Sequence, residues 1–184
     1  MKRTVLSRII LVSLGLLIVI LVISAISAAI RSAGSQPVPI NELLVNNNDR
    51  AVEMVIRGPI VADEKFKTYS IKISPDERRV TSYNGYSLYE NEYKALPNTY
   101  KAYDEFIHAL NKANLMLGDE LPSDLRGTCA TGKVYEFKLM KGAKVVKTLW
   151  TSTCSGAKGT LKANLNQVYN LFTNQIPDAK KYLK

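Results

Sequence analysis

Residues 132–154 read GKVYEFKLMKGAKVVKTLWTSTC. Two alternating, β-rich runs, 132–140 and 145–153, flank the turn signal Lys141-Gly142-Ala143-Lys144, and that pattern predicts a β-hairpin. The turn sets the register. Paired residue numbers sum to 283 if it centres on Lys141-Gly142 and to 285 if all four residues form the loop. Either odd sum places Tyr135, Phe137 and Leu139 on the same face as Val146, Thr148 and Trp150. Cys129 and Cys154 share that parity and sit near mirror positions at the open end, which is where a disulfide would clasp the hairpin. A bridge there closes a loop of about 26 residues and stabilises the fold by about 3.5 kcal/mol in the chain-entropy model.

Upstream, the same period-2 signal recurs. In 51–58, Val52, Met54 and Ile56 share a face that Glu53 and Arg57 avoid; in 66–74, Tyr69, Ile71 and Ile73 oppose Thr68 and Lys72. Gly58-Pro59 ends the first run, Ser74-Pro75-Asp76-Glu77 makes a turn, and 78–84 is a third strand closed by Asn84-Gly85. A three-stranded antiparallel meander is expected. The period then changes. From Tyr100 the stripe Tyr100, Tyr103, Ile107 and Leu110, flanked by Phe106 and Leu117, predicts an amphipathic helix of about 18 residues, capped by Asn98 or Thr99 and ended by Gly118. A second helix is expected over 160–173, with Leu161, Leu165, Val168 and Phe172 inward. The fold class read from these elements is α+β, in the order β-β-β-α-β-β-α.

At the other end of the chain, Lys2, Arg3 and Arg8 precede an uncharged apolar run over 9–30 that Arg31 closes. As a helix the run spans roughly 33 Å, close to the ~30 Å hydrocarbon core of a bilayer. Basic residues in 1–8, and their absence between Ser32 and Asn46, put the N-terminus in the cytoplasm and residues 32–184 outside. The expected organisation is a cytoplasmic 1–8, a transmembrane signal anchor 9–30, a linker 31–49 and an extracytoplasmic domain 50–184. Pro37 and Pro39 bias the linker toward extended backbone, and Asn41 can cap a short helical turn running to Val45. The alternative is a cleaved signal peptide and a secreted domain, since Ala25-Ile26-Ser27 and Ser27-Ala28-Ala29 are small-residue triplets. The run is long for a signal-peptide core, which favours the anchor. That location also suits a structural disulfide.

The formal charge is +9, yet residues 32–184 carry 21 basic and 16 acidic side chains, net +5. Residues 133–184 hold ten of the basic groups and two of the acidic ones, so the C-terminal third is strongly cationic. Lys138, Lys141, Lys144, Lys147, Lys158 and Lys162 could then form an anion-binding surface, or simply a solvated lysine-rich face. Six of the ten tyrosines fall between Tyr83 and Tyr103. With Tyr100 and Tyr103 in the helix stripe, Tyr83, Tyr86, Tyr89 and Tyr93 are left as a possible partner surface or as packing between meander and helix.

No constellation specifies a reaction. Thiol catalysis would need Cys129 or Cys154 as nucleophile with His108 as base, but two cysteines in an oxidising compartment argue for pairing. His108, Cys129 and Cys154 lack the paired short spacings of a zinc site. Asp63-Glu64, Asp104-Glu105 and Asp119-Glu120 are sequence neighbours that do not face one another. Ser155-Gly156-Ala157-Lys158-Gly159-Thr160 opens a helix as a phosphate loop would, but its lysine precedes the second glycine, so it is not a Walker A sequence. The reading is a single-pass cell-membrane protein displaying a binding or interaction domain, part of an envelope or surface assembly, with a protein or envelope polymer as partner and with no cofactor or metal. The alternatives are an extracytoplasmic hydrolase acting on envelope material, and a binder of anionic polymer or nucleic acid through the basic C-terminal third.

Overall fold

In the computed structural model the described residues are 49–118 and 124–184. The expected cytoplasmic segment, anchor and all but the last residue of the linker lie outside them, as does Asp119-Glu120. The chain divides into units Met1–Pro39 and Ile40–Lys184, and every described residue belongs to the second. Among the described residues, no helix is long and apolar enough to cross a membrane.

Six strands form one antiparallel sheet: β1 (Arg50–Arg57), β2 (Lys67–Ile73), β3 (Glu77–Asn84), β4 (Tyr89–Pro97), β5 (Val134–Lys141) and β6 (Lys144–Ser152). Two helices, α1 (Tyr100–Lys112) and α2 (Leu165–Thr173), complete an α+β domain. The sheet order is β4-β3-β2-β1-β5-β6, so the meander and the hairpin meet along β1. The cross-strand rows explain this join. Met54 lies between Ile71 and Phe137, Val52 between Ile73 and Leu139, and Ile56 between Tyr69 and Tyr135. Alternation in three separate runs thus builds one apolar face.

Both helices lie on that face. Tyr103, Phe106, Ile107 and Leu110 of α1 and Val168 and Phe172 of α2 join the buried cluster. The Phe172 ring is fully buried, meeting Phe106 edge to face at 5.2 Å and Phe137 at 5.9 Å.

Four expectations are corrected. A fourth strand, β4, follows the meander at the sheet edge, where only Leu96 packs on the core and Lys94 is also half-buried; its other residues are exposed, so it carries no apolar alternation to read. Helix α1 has 13 residues, because Asn114 adopts a left-handed φ of 62° and the Leu115 N–H bonds back to Leu110, ending the helix before Gly118. Tyr100 is 42% exposed and lies off the buried face. Helix α2 starts at Leu165 with Asn164 as its cap, since the N–H groups of Thr160 and Leu161 both donate to the Trp150 carbonyl of β6. That clamp covers part of an otherwise open edge. It also requires Gly159, at φ +72°, whose Cβ would stand 2.1 Å from the Trp150 oxygen.

The hairpin register is the fifth correction. Lys141 pairs with Lys144 and Met140 with Val145, but a bulge at Val146 then shifts the pairing so that Leu139 faces Lys147, Phe137 faces Leu149 and Glu136 faces Trp150. Leu149 and Lys147 therefore turn to the helix face, and Thr148 and Trp150 to the opposite one.

Candidate functional site

The face away from the helices carries the polar alternates of the same strands. Glu53 sits between Lys72 and Lys138, its carboxylate accepting from Ser70 at 2.5 Å. Next comes a row of Ser70, Val55, Glu136 and Trp150, and after it Tyr83, Thr68, Arg57 and Val134. This last row reaches the end of β1, where a cleft of about 480 Å³ opens.

Local sequence holds the cleft walls. Gly58-Pro59 takes the chain out of β1, and the Gly58 N–H still bonds to Lys67 while the Ile60 N–H bonds to Ala130. Across the β3–β4 turn, the Tyr86 hydroxyl donates to the Val61 carbonyl at 2.8 Å and accepts from the Val61 N–H at 3.2 Å. Asp63 accepts from the Tyr86 N–H at 2.7 Å. These bonds stack Tyr86 on Phe66, with centroids 4.0 Å apart and planes within 12°. Leu125 and Val134 line the cleft as well, together with Ile60 and Leu88.

The Cys129–Cys154 disulfide belongs to this frame. Its Cα atoms are 5.6 Å apart, and Cys129 is a wall residue of the cleft. Lys133 and Thr153 still pair beyond the hairpin's last strand residues, through the Thr153 N–H to the Lys133 carbonyl and the Lys133 N–H to the Thr153 hydroxyl. The bridge then lies over Gly132, where a Cβ would stand 2.8 Å from the Cys129 sulfur and 2.3 Å from the Thr153 hydroxyl. Both cysteines are consumed, which removes the thiol-nucleophile alternative.

At the cleft floor Arg57 has Thr68 on one side and Val134 on the other. Its Nη2 meets the Glu136 carboxylate at 2.6 Å, and the second Glu136 oxygen is 3.8 Å from the Lys138 ammonium. Glu136 is 5% exposed at its side chain, so these cations offset the cost of burying its charge. Thr68 is 3% exposed and its hydroxyl has no hydrogen-bond partner. A buried unpaired hydroxyl costs about 1–3 kcal/mol. At the rim, Arg126 grips Asp124, and its side-chain hydrogen bond, with the Arg126 N–H, holds that carboxyl down at about 2.

The tyrosines expected to act together are divided. Tyr86 is a cleft wall; Tyr83 and Tyr93 project from the polar face, with the Arg79 guanidinium 4.2 Å above the Tyr93 ring; Tyr89, 70% exposed, lies on the helix side of the edge strand. The lysines are divided too. Lys138 is on the polar face beside Glu136, whereas Lys147 is buried on the helix face and donates to the Met116 carbonyl at 2.9 Å. Lys141 and Lys144 flank the hairpin turn, and Lys158 and Lys162 are exposed in the segment before α2. His108 is exposed on α1, with Nδ1 2.9 Å from the Asp104 carbonyl. Among the described residues no three His, Cys, Asp or Glu side chains gather as a metal site.

Arg57, Thr68, Ile60, Leu88 and Leu125 went unread as site residues. One signal was present: Ile60-Val61 is an apolar pair after Gly58-Pro59, outside any alternating run. Comparison of the sequence with family models and with curated proteins gives no match.

Proposed function

We propose that the chain is a single-pass, membrane-anchored binding domain displayed outside the cytoplasm, serving a cell-envelope or surface assembly, and that it takes hold of an apolar group in the cleft beside Phe66 and Tyr86. The observation that carries the reading is a concentration of exposed apolar surface. Nine large hydrophobic residues are exposed among those described; Ile60, Tyr86 and Leu88 line this one cleft, and Val61 is bonded to Tyr86 beside them. Apolar surface so gathered, around a concavity of small-ligand size, is the usual mark of a binding site. The walls are tied by backbone and side-chain bonds and by the disulfide, so little ordering cost is left for the binding step. Anchorage and orientation rest on the apolar run 9–30 and the basic residues before it.

A neutral probe tests the cleft. Saturating 4-phenylbutan-1-ol should shift the methyl resonances of Ile60, Leu88 and Leu125 in the full chain held in lipid nanodiscs, and leave Val145 on the hairpin unmoved. Unchanged methyls at the cleft would refute the reading. Orientation is tested separately by protease shaving of intact cells, where a domain cut only after lysis would contradict external display.

A further inference from the structure

Building on the cleft reading, we propose that the ligand is an organic carboxylate: an apolar body against the Phe66–Tyr86 stack, and a carboxylate received at the floor by Arg57 and Thr68. Both floor residues are hydrogen-bond donors, and they are direct cross-strand partners, so their side chains start about 5 Å apart. Thr68 is a lining residue of the cleft, and its hydroxyl is buried and without a partner. Arg57 engages Glu136 through Nη2, while its side chain remains 37% exposed where Glu136 is almost fully enclosed. A guanidinium presents five N–H donors in a planar fork, so the Glu136 contact leaves donors for a second planar acceptor.

Both charged side chains among the residues lining the cleft are cationic, Arg57 and the rim residue Arg126, and each is paired with a carboxylate, Glu136 and Asp124. A ligand ammonium would meet Arg57 with repulsion. The volume of about 480 Å³ suits a small molecule with a ring or short chain.

The experiment compares 4-phenylbutyrate with 4-phenylbutan-1-ol on the full chain in nanodiscs, with partition into empty discs subtracted. Fluorescence of Trp150, the single tryptophan, reports occupancy, since it is the cross-strand partner of Glu136. At pH 7 the acid should bind about tenfold or more tighter than the alcohol, as a charge-assisted pair would give. Thr68→Val should weaken the acid and spare the alcohol. Arg57→Gln strands a buried carboxylate, so the pair Arg57→Gln with Glu136→Gln is the cleaner variant, and it should bring the acid down to the alcohol's affinity. Equal binding of acid and alcohol to the native chain overturns the carboxylate assignment and leaves the apolar cleft standing. Failure of both probes removes the cleft reading and this assignment with it.

Discussion

Replacing Cys129 and Cys154 together by alanine tests how the cleft frame is held. The bridge spans a sequence separation of 25, and loop-closure entropy for a loop of that size corresponds to about 3.5 kcal/mol at 25 °C. Truncating the buried Cys129 sulfur adds no more than about 1 kcal/mol. For a domain of this size each kcal/mol moves the midpoint by roughly 3 °C, so thermal unfolding should fall by roughly 10 °C. Urea titration of the full chain in nanodiscs, followed by circular dichroism and Trp150 fluorescence, gives the free energy directly. The domain should still fold, because Phe137, Leu139 and Leu149 of the hairpin remain buried in the core. Reduced native protein should match the double variant. A second arm isolates the packing: Gly132→Ala drives a methyl into the Cys129 sulfur and the Thr153 hydroxyl, at a cost of about 1–3 kcal/mol. In the alanine background the sulfur is gone, so part of that cost should vanish as a coupling energy. A stability loss below about 1 kcal/mol for the double variant, or equal Gly132→Ala costs in both backgrounds, would refute the reasoning.

Two further outcomes follow from the core. Phe172→Ala removes a fully buried ring that meets Phe106 and Phe137, and should cost about 3–5 kcal/mol by urea denaturation, separating α2 from the sheet first. At alkaline pH, burial raises the phenol pKa values of Tyr69, Tyr103, Tyr135 and Tyr169 above the ordinary 10. The unfolded chain then releases protons that the folded chain keeps, so their contribution is complete below pH 10 and lost as pH rises through the folded values. Stability against urea should be flat in this respect up to pH 10 and fall beyond it; an unchanged midpoint at pH 11 would contradict that burial.

Much of the sheet was legible because half-buried strands alternate. Val52, Met54 and Ile56 declared their common face, as did Ile71 and Ile73, since one side of each strand meets helices and the other meets polar neighbours. Strand β4 was illegible for the converse reason: at the edge it is exposed on both faces, and Tyr89, Glu90, Glu92 and Tyr93 show no period. The hairpin parity failed on one residue. A bulge at Val146 leaves no mark in composition, yet it moves Trp150 to the polar face and Lys147 to the apolar one. The site was less legible still, because the partners Thr68, Arg57 and Val134 come from three strands spread over much of the domain sequence.

By itself the sequence determined the α+β class, the apolar faces of β1, β2 and β5, a helix cap at Asn98 or Thr99, and the turns that punctuate them, all of which depend on near neighbours along the chain. It also supplied two cysteines on either side of a hairpin's open end. Only the tertiary structure decided that β1 would join meander to hairpin, that the disulfide would fold over Gly132 into the wall of a cleft, and that Arg57 would stand beside an unpartnered Thr68 hydroxyl. Periodicity records which side of an element is buried. It does not record which other element buries it, because that choice is made by the summed packing of residues far apart in the chain.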